Sequence, residues 1–169
     1  LAEFDPRSLT SVARLQLAAG DPNGASYSLY KALQGNPDDL GALSLVVLVE
    51  ASRGEADKAD TALKTLSAKY PNALETTRVS ADLAMSRKQF SSAIAGYQKI
   101  LKLQDTPANA LVLADAYMAS GDASKAAGFL EVWSKNHADS ASVRRALAES
   151  QFRAGRLEAA RQSYQRLVA

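Results

Sequence analysis

Apolar positions in this chain follow helical spacing, and the helical blocks themselves recur. The segments GDPNGASYSLYKAL, GEADKADTALKTL, KQFSSAIAGYQKIL, GDASKAAGFLEVW and GRLEAARQSYQRL begin at Gly20, Gly54, Lys88, Gly121 and Gly155, at steps of 34, 34, 33 and 34 residues. Five residues into each stands an alanine: Ala25, Ala59, Ala93, Ala126 and Ala160. Four further on comes a large residue: Leu29, Leu63, Tyr97, Leu130 and Tyr164. Upstream of each block lies a second apolar stretch in matching register, including Val12 and Ala13, Val46 and Val47, Ala81, Leu113 and Ala114, and Leu147 and Ala148. A fixed period of this length marks stacked supersecondary units, none of which buries its apolar face alone.

Each unit reads as two antiparallel helices. Its glycine ends the first helix by taking a left-handed conformation that an L side chain resists. The small alanine lets the second helix approach the first to roughly 8–10 Å. Asp5-Pro6 and Thr106-Pro107 supply an N-cap followed by proline at the first helical position. Two places strain the pattern. SLVVLVE, from Ser44 to Glu50, is rich in β-branched residues and would pass alone for a buried strand. Its repeat register assigns it to a helix, at a propensity cost of about a few tenths of a kcal/mol per valine. Lys88 stands where the other units have glycine, so a strained or reshaped turn is expected there.

Composition narrows the function classes. Apolar residues make up 47% and charged residues 22%, as in a folded protein rather than a disordered one. With 20 basic against 18 acidic residues, the balance argues against a nucleic-acid surface. Absence of cysteine removes disulfides, thiolate metal sites and cysteine nucleophiles. The longest aliphatic run, Leu45 to Val49, falls far short of the ~20 residues that span a bilayer, so no direct membrane insertion by this segment is expected. The chain opens at Leu1 without an initiator Met or signal-peptide core, and its last block stops short of a full unit. Both features suggest a piece of a longer array, with an uncapped C-terminal helix face available for self-association.

The five registered blocks resemble the tetratricopeptide repeat (TPR) family, from Pro6 to the C-terminus. That family favours small residues at unit positions 8 and 20, Gly at 15, Tyr or Leu at 11 and 24, and Pro at 32; Pro37 and Pro71 match the last of these. The resemblance implies an all-α, right-handed α-solenoid of about five helix-turn-helix units, at 6–39, 40–73, 74–106, 107–140 and an incomplete 141–169. Position 27, usually small in the family, carries Leu66, Ile100, Trp133 and Leu167, so packing between units should be bulkier than average.

The same resemblance implies a non-catalytic scaffold that binds a peptide or helix of a protein partner in a concave groove lined by first-helix residues. Ninth positions give Arg14, Leu48, Asp82, Asp115 and Glu149, which sets three carboxylates along the C-terminal half. Met85, Met118 and Phe152 form an apolar stripe beside them, and Arg78, Leu111 and Arg145 complete the candidate partner-binding groove. Soft Met and aromatic side chains beside paired charges suit a basic or mixed amphipathic segment. The carboxylate clamp of some TPR co-chaperones needs Asn and positive charge where this chain has Asp82, Asp115 and Glu149. The i,i+4 pairs Arg78/Asp82 and Arg145/Glu149 also admit a plainer role, worth about 0.2–0.5 kcal/mol each along their own helices.

No catalytic, cofactor-binding or metal site emerges. His137, the one histidine, falls in an inter-unit turn and reads as solvent-exposed, while Asp38-Asp39 reads as first-turn capping. The Ala-rich, Cys-free composition is similar to bacterial TPR arrays, and more narrowly to the TPR lipoproteins of PEP-CTERM/exosortase systems. That likeness implies a periplasmic or envelope-associated role in exopolysaccharide assembly or export. The alternatives are a structural spacer or self-associating array without a groove ligand, and the regulatory arm of a larger multidomain protein.

Overall fold

The computed structural model describes residues 5–137 and 140–168. Its regular elements, among the described residues, are ten α-helices: α1 (Pro6–Ala18), α2 (Pro22–Gly35), α3 (Leu40–Ser52), α4 (Ala56–Lys69), α5 (Leu74–Ser86), α6 (Phe90–Leu103), α7 (Pro107–Ala119), α8 (Ala123–Lys135), α9 (Ala141–Arg153) and α10 (Leu157–Val168). The valine-rich stretch lies within α3, as its register requires. It reads like a strand because α3 is packed by α1, α2, α4 and α5, leaving little of its circumference for polar residues.

Local chemistry sets the helix ends. At the α3–α4 turn the Gly54 N–H bonds the Ala51 carbonyl at 3.0 Å and the Glu55 N–H bonds the Glu50 carbonyl at 3.0 Å. This wrapped C-cap holds Gly54 at φ 76°. The same pair of bonds closes α1, α7 and α9. Twice the next residue starts the following helix: Asp21 accepts from the Gly24 N–H at 2.8 Å, and Asp122 from the Lys125 N–H at 2.9 Å. Asp5, Asp39 and Thr106 cap α1, α3 and α7 in the same way.

The chain divides into two compact bodies, Leu1–Ser86 and Arg87–Ala169. In the first, α1 and α2 pair, α3 and α4 pair, and α3 also lies against α1 and α5. In the second, α9 and α10 pair, and α7 lies against α6, α8 and α9. The repeating alanines Ala25, Ala59, Ala93 and Ala126 are fully buried, and Ala160 is nearly so. Around them Leu29, Leu66, Ile100 and Leu130 are sealed from solvent, each worth about 1.5–3 kcal/mol of burial. The bulky position-27 residues bridge units: Leu66 clusters with Val79 and Leu83 of α5, and Trp133 with Val143 of α9.

Lys88 takes φ 58°, where the equivalent glycines are at 74–85°. A left-handed residue other than glycine costs about 1–2 kcal/mol, part of which glycine returns through its looser unfolded chain. Lys88→Gly is therefore expected to stabilise the protein by about 0.5–1 kcal/mol in urea unfolding. A loss of stability would show that the lysine side chain, and not the turn, governs this position.

Candidate functional site

The most complete grouping of candidate residues lies between α7 and α9 in the second body. Asp115 and Met118 of α7 face Glu149 and Arg153 of α9 across a cleft of about 340 Å³, with Ala114, Ala119 and Ala146 along it. Small residues at these positions keep the two helices close and open the space between the longer side chains. Arg153 donates to Glu149 at 2.6 Å, and the Tyr164 hydroxyl of α10 donates to the same carboxylate at 3.1 Å. The Arg153 bond first, and Tyr164 second, hold Glu149 below the usual carboxylate range, so it stays ionised. Asp115 is the opposite case. Desolvation raises its pKa from 3.8, and no hydrogen bond or ion pair to its carboxylate is found among the described residues.

Other candidates take other roles. Glu149 is paired forward to Arg153 rather than back to Arg145, which remains exposed on α9. The reason lies at the helix end: Arg153 closes α9, where its side chain folds back onto the preceding turn. Leu48 packs against the apolar cluster of α3, α4 and α5, and Leu111 against that of α7, α8 and α9. Phe152 is 55% exposed at the end of α9. In the first body Arg14 is exposed on α1, while Arg78, Asp82 and Met85 are half-buried on α5.

The sequence reading missed the bonding of a set of buried and half-buried polar residues at the eleventh unit position, where the TPR pattern favours Tyr or Leu. Gln16 accepts from Ser28 at 2.8 Å across the α1–α2 hairpin. Glu50, 5% exposed, accepts from Ser26 of α2 and from Arg53, each at 2.8 Å, and Arg53 reaches on to Asn23 at 2.9 Å. Gln151, equally buried, donates to Glu131 of α8 at 2.9 Å and accepts from Ser163 of α10 at 2.7 Å. Tyr117 accepts from Gln98 of α6 at 2.9 Å. Each group meets a partner on a neighbouring helix, as buried polar atoms must. Gln16, Glu50 and Gln151 were legible as departures from register; their partners were not.

His137 also departs from expectation. Its side chain is only 26% exposed, stacked on Trp133 and bonded to Asp105. Asp38 departs as well, since it pairs with Lys69 while Asp39 alone caps α3. No cluster of three or more His, Cys, Asp or Glu side chains able to hold a metal occurs among the described residues. No helix there is long and apolar enough to cross a membrane.

Known proteins place this geometry. Structures similar to the whole chain include the nearly identical TPR-like repeats of a putative kinesin light chain from Podosopora anserina, at 18% identity and TM-score 0.77, covering 97% of this chain and 95% of that one. A thermophilic TPR protein from Thermus thermophilus matches at 22% identity and TM-score 0.69, covering 96% and 90%. PilF of Pseudomonas aeruginosa matches at 16% identity and TM-score 0.73, covering 96% and 75%. This chain has the TPR fold. The TPR family is also supported by sequence: residues 16–80 match the tetratricopeptide repeat model, and residues 86–167 match the model of anaphase-promoting complex, cyclosome, subunit 3. No curated protein matches the chain. TPR repeats generally mediate protein–protein interaction and are typically non-catalytic.

Asp115 carries the sharpest electrostatic consequence. Because its folded-state pKa is raised, the ionised side chain opposes folding at neutral pH, and that penalty fades as pH falls toward 3.8. Asp115→Asn is expected to leave the fold intact and raise the urea midpoint at pH 7 only slightly, because solvent screens this exposed carboxylate, with the gain vanishing near pH 3.5. A loss of stability at pH 7 would mean the carboxylate has a favourable partner.

Proposed function

We propose that this TPR array docks a basic or mixed amphipathic segment of a partner protein on its first-helix residues, with the α7–α9 cleft as the contact point in the second body. The observation that carries this reading is the pairing, in one cleft, of an exposed and only partly desolvated Asp115 that has no partner among the described residues with a firmly ionised Glu149. A Lys or Arg side chain entering the cleft would restore to Asp115 the interaction that desolvation removes, while Met118 offers a soft apolar wall. Arg153 already occupies one side of Glu149, so a purely acidic ligand meets two carboxylates and a guanidinium that is spoken for. Arg14, Arg78, Asp82 and Met85 are assigned by the same reading to the partner-binding surface of the first body.

The finer setting, an envelope-associated bacterial protein of exopolysaccharide assembly or export, is supported by the Ala-rich, Cys-free composition and is part of this proposal.

Two synthetic amphipathic helices with the same apolar face, one bearing Lys and one Glu, test it by NMR titration. The Lys peptide is expected to shift resonances of residues 114–119 and 146–153, and the triple variant D82K/D115K/E149K to weaken it about tenfold or more with its melting curve retained. Equal binding of the Glu peptide, or full binding by the triple variant, would overturn the proposal.

A further inference from the structure

The two bodies each contain a stitch of one connection to the next, built on an aspartate immediately before a helix N-cap. In the first body Asp38 precedes the N-cap Asp39, and α4 holds it at its C-terminal end: Lys69 pairs with the carboxylate and the Tyr70 hydroxyl donates to the Asp38 carbonyl. In the second, Asp105 precedes the N-cap Thr106, and α8 and the residues after it hold it by different chemistry. The indole N–H of Trp133 donates to Asp105 Oδ1 at 2.7 Å. His137 Nε2 lies 2.8 Å from Asp105 Oδ2, and its Nδ1 lies 2.8 Å from the Trp133 carbonyl oxygen. The two rings stack at 3.9 Å between centroids and 4° between planes.

Both nitrogens of His137 therefore face oxygen acceptors. A neutral imidazole has one N–H and one lone pair, so it leaves one of these contacts as lone pair against lone pair. The imidazolium satisfies both. We propose that Asp105, Trp133 and His137 form a proton-gated latch, closed when His137 is an imidazolium, that fastens the α6–α7 connection to the C-terminal end of α8.

Asp105, from the α6–α7 connection, is the charged group that faces the ring among the described residues; α8 contributes the Trp133 ring and carbonyl. In the first-body stitch the partner of the aspartate is an ammonium rather than an imidazole. The Trp133 carbonyl, and then Asp105, raise the His137 pKa above 6.5. The Trp133 bond, and then His137, lower that of Asp105 below 3.8. A raised histidine stabilises fully below its unfolded pKa of 6.5 and loses that contribution as pH climbs through the folded value. A lowered aspartate contributes above 3.8 and fails as pH falls through its depressed value. The latch is thus fully closed between about pH 4 and 6.5 and opens on the alkaline side. Asp105 leads into α7, the helix that carries Asp115 of the cleft. That bearing on binding rests on the proposed function; the latch itself does not.

The chain has one histidine and one tryptophan, and they are stacked on each other, so both can be read without ambiguity. Imidazole ¹⁵N NMR of the folded chain from pH 5 to 9 is expected to give a midpoint above the one measured in urea, with both nitrogens protonated at the acid plateau. Trp133 fluorescence should step at the same midpoint, because a stacked imidazolium quenches indole more than neutral imidazole does. D105N should lower the NMR midpoint, and H137Q should abolish the fluorescence step. A folded midpoint at or below the urea value, or a D105N midpoint equal to that of the parent chain, would overturn the latch. The parent-chain titration decides the question even if a variant fails to fold.

Discussion

The rest of the structure depends on how closely the two helices of a hairpin approach, and a single small side chain sets that distance. Ala25, Ala59, Ala93, Ala126 and Ala160 occupy one position in the repeat, and none retains more than 2% of its surface. A side chain with a γ-carbon there would push the helices apart, and Leu29 and Leu130 one turn later would lose the contacts that seal them. Leu29 and Leu130 are fully buried because the alanine before each lets the partner helix close over them. Position 27 then fills the gap to the following unit with Leu66, Ile100 and Trp133, larger than the TPR pattern requires. The fold is thus a repeated alternation of one small and two large residues on the second helix.

Once the helices are that close, the backbone leaves little latitude at the turns and the polar residues must be satisfied locally. Glu50 shows the consequence. A carboxylate with 5% of its surface exposed is tolerable because Arg53 and Ser26 take its two oxygens. Gln151 spans three helices for the same reason, bonding Glu131 of α8 and Ser163 of α10 from α9. Such bonds add little net stability, but leaving one partner unmet would cost about 1–3 kcal/mol, so they fix helix order and register.

How much of this was legible in the sequence follows from the range of the interactions. Helix boundaries, caps and the small alanines are set within one unit, and the register of Gly20, Gly54, Gly121 and Gly155 was enough to read them. Strand-like composition at Ser44–Glu50 did not mislead, because the repeat outweighs local propensity. Two of the misreadings involve residues about thirty apart. His137 looked like a free turn residue because its partner Asp105 lies one unit away, and Asp38 looked like a cap because Lys69 does too. Within α9, charge spacing offered Glu149 two arginines, at Arg145 and Arg153, and only side-chain direction chose between them. The groove residues divide similarly: Asp115, Met118 and Glu149 share a cleft, whereas Leu48 and Leu111 lean into apolar clusters.

Enlarging the alanine at the hairpin contact tests the governing constraint most directly. Ala59→Leu and Ala126→Leu place one extra isopropyl group in each body, and Ala18→Leu places it on an exposed position of α1. Urea unfolding is expected to show each buried variant destabilised by about 1–3 kcal/mol or more, and the exposed one changed by about 0.5 kcal/mol or less. Unchanged or raised midpoints for Ala59→Leu and Ala126→Leu would contradict the claim that close helix approach at these alanines holds the fold together.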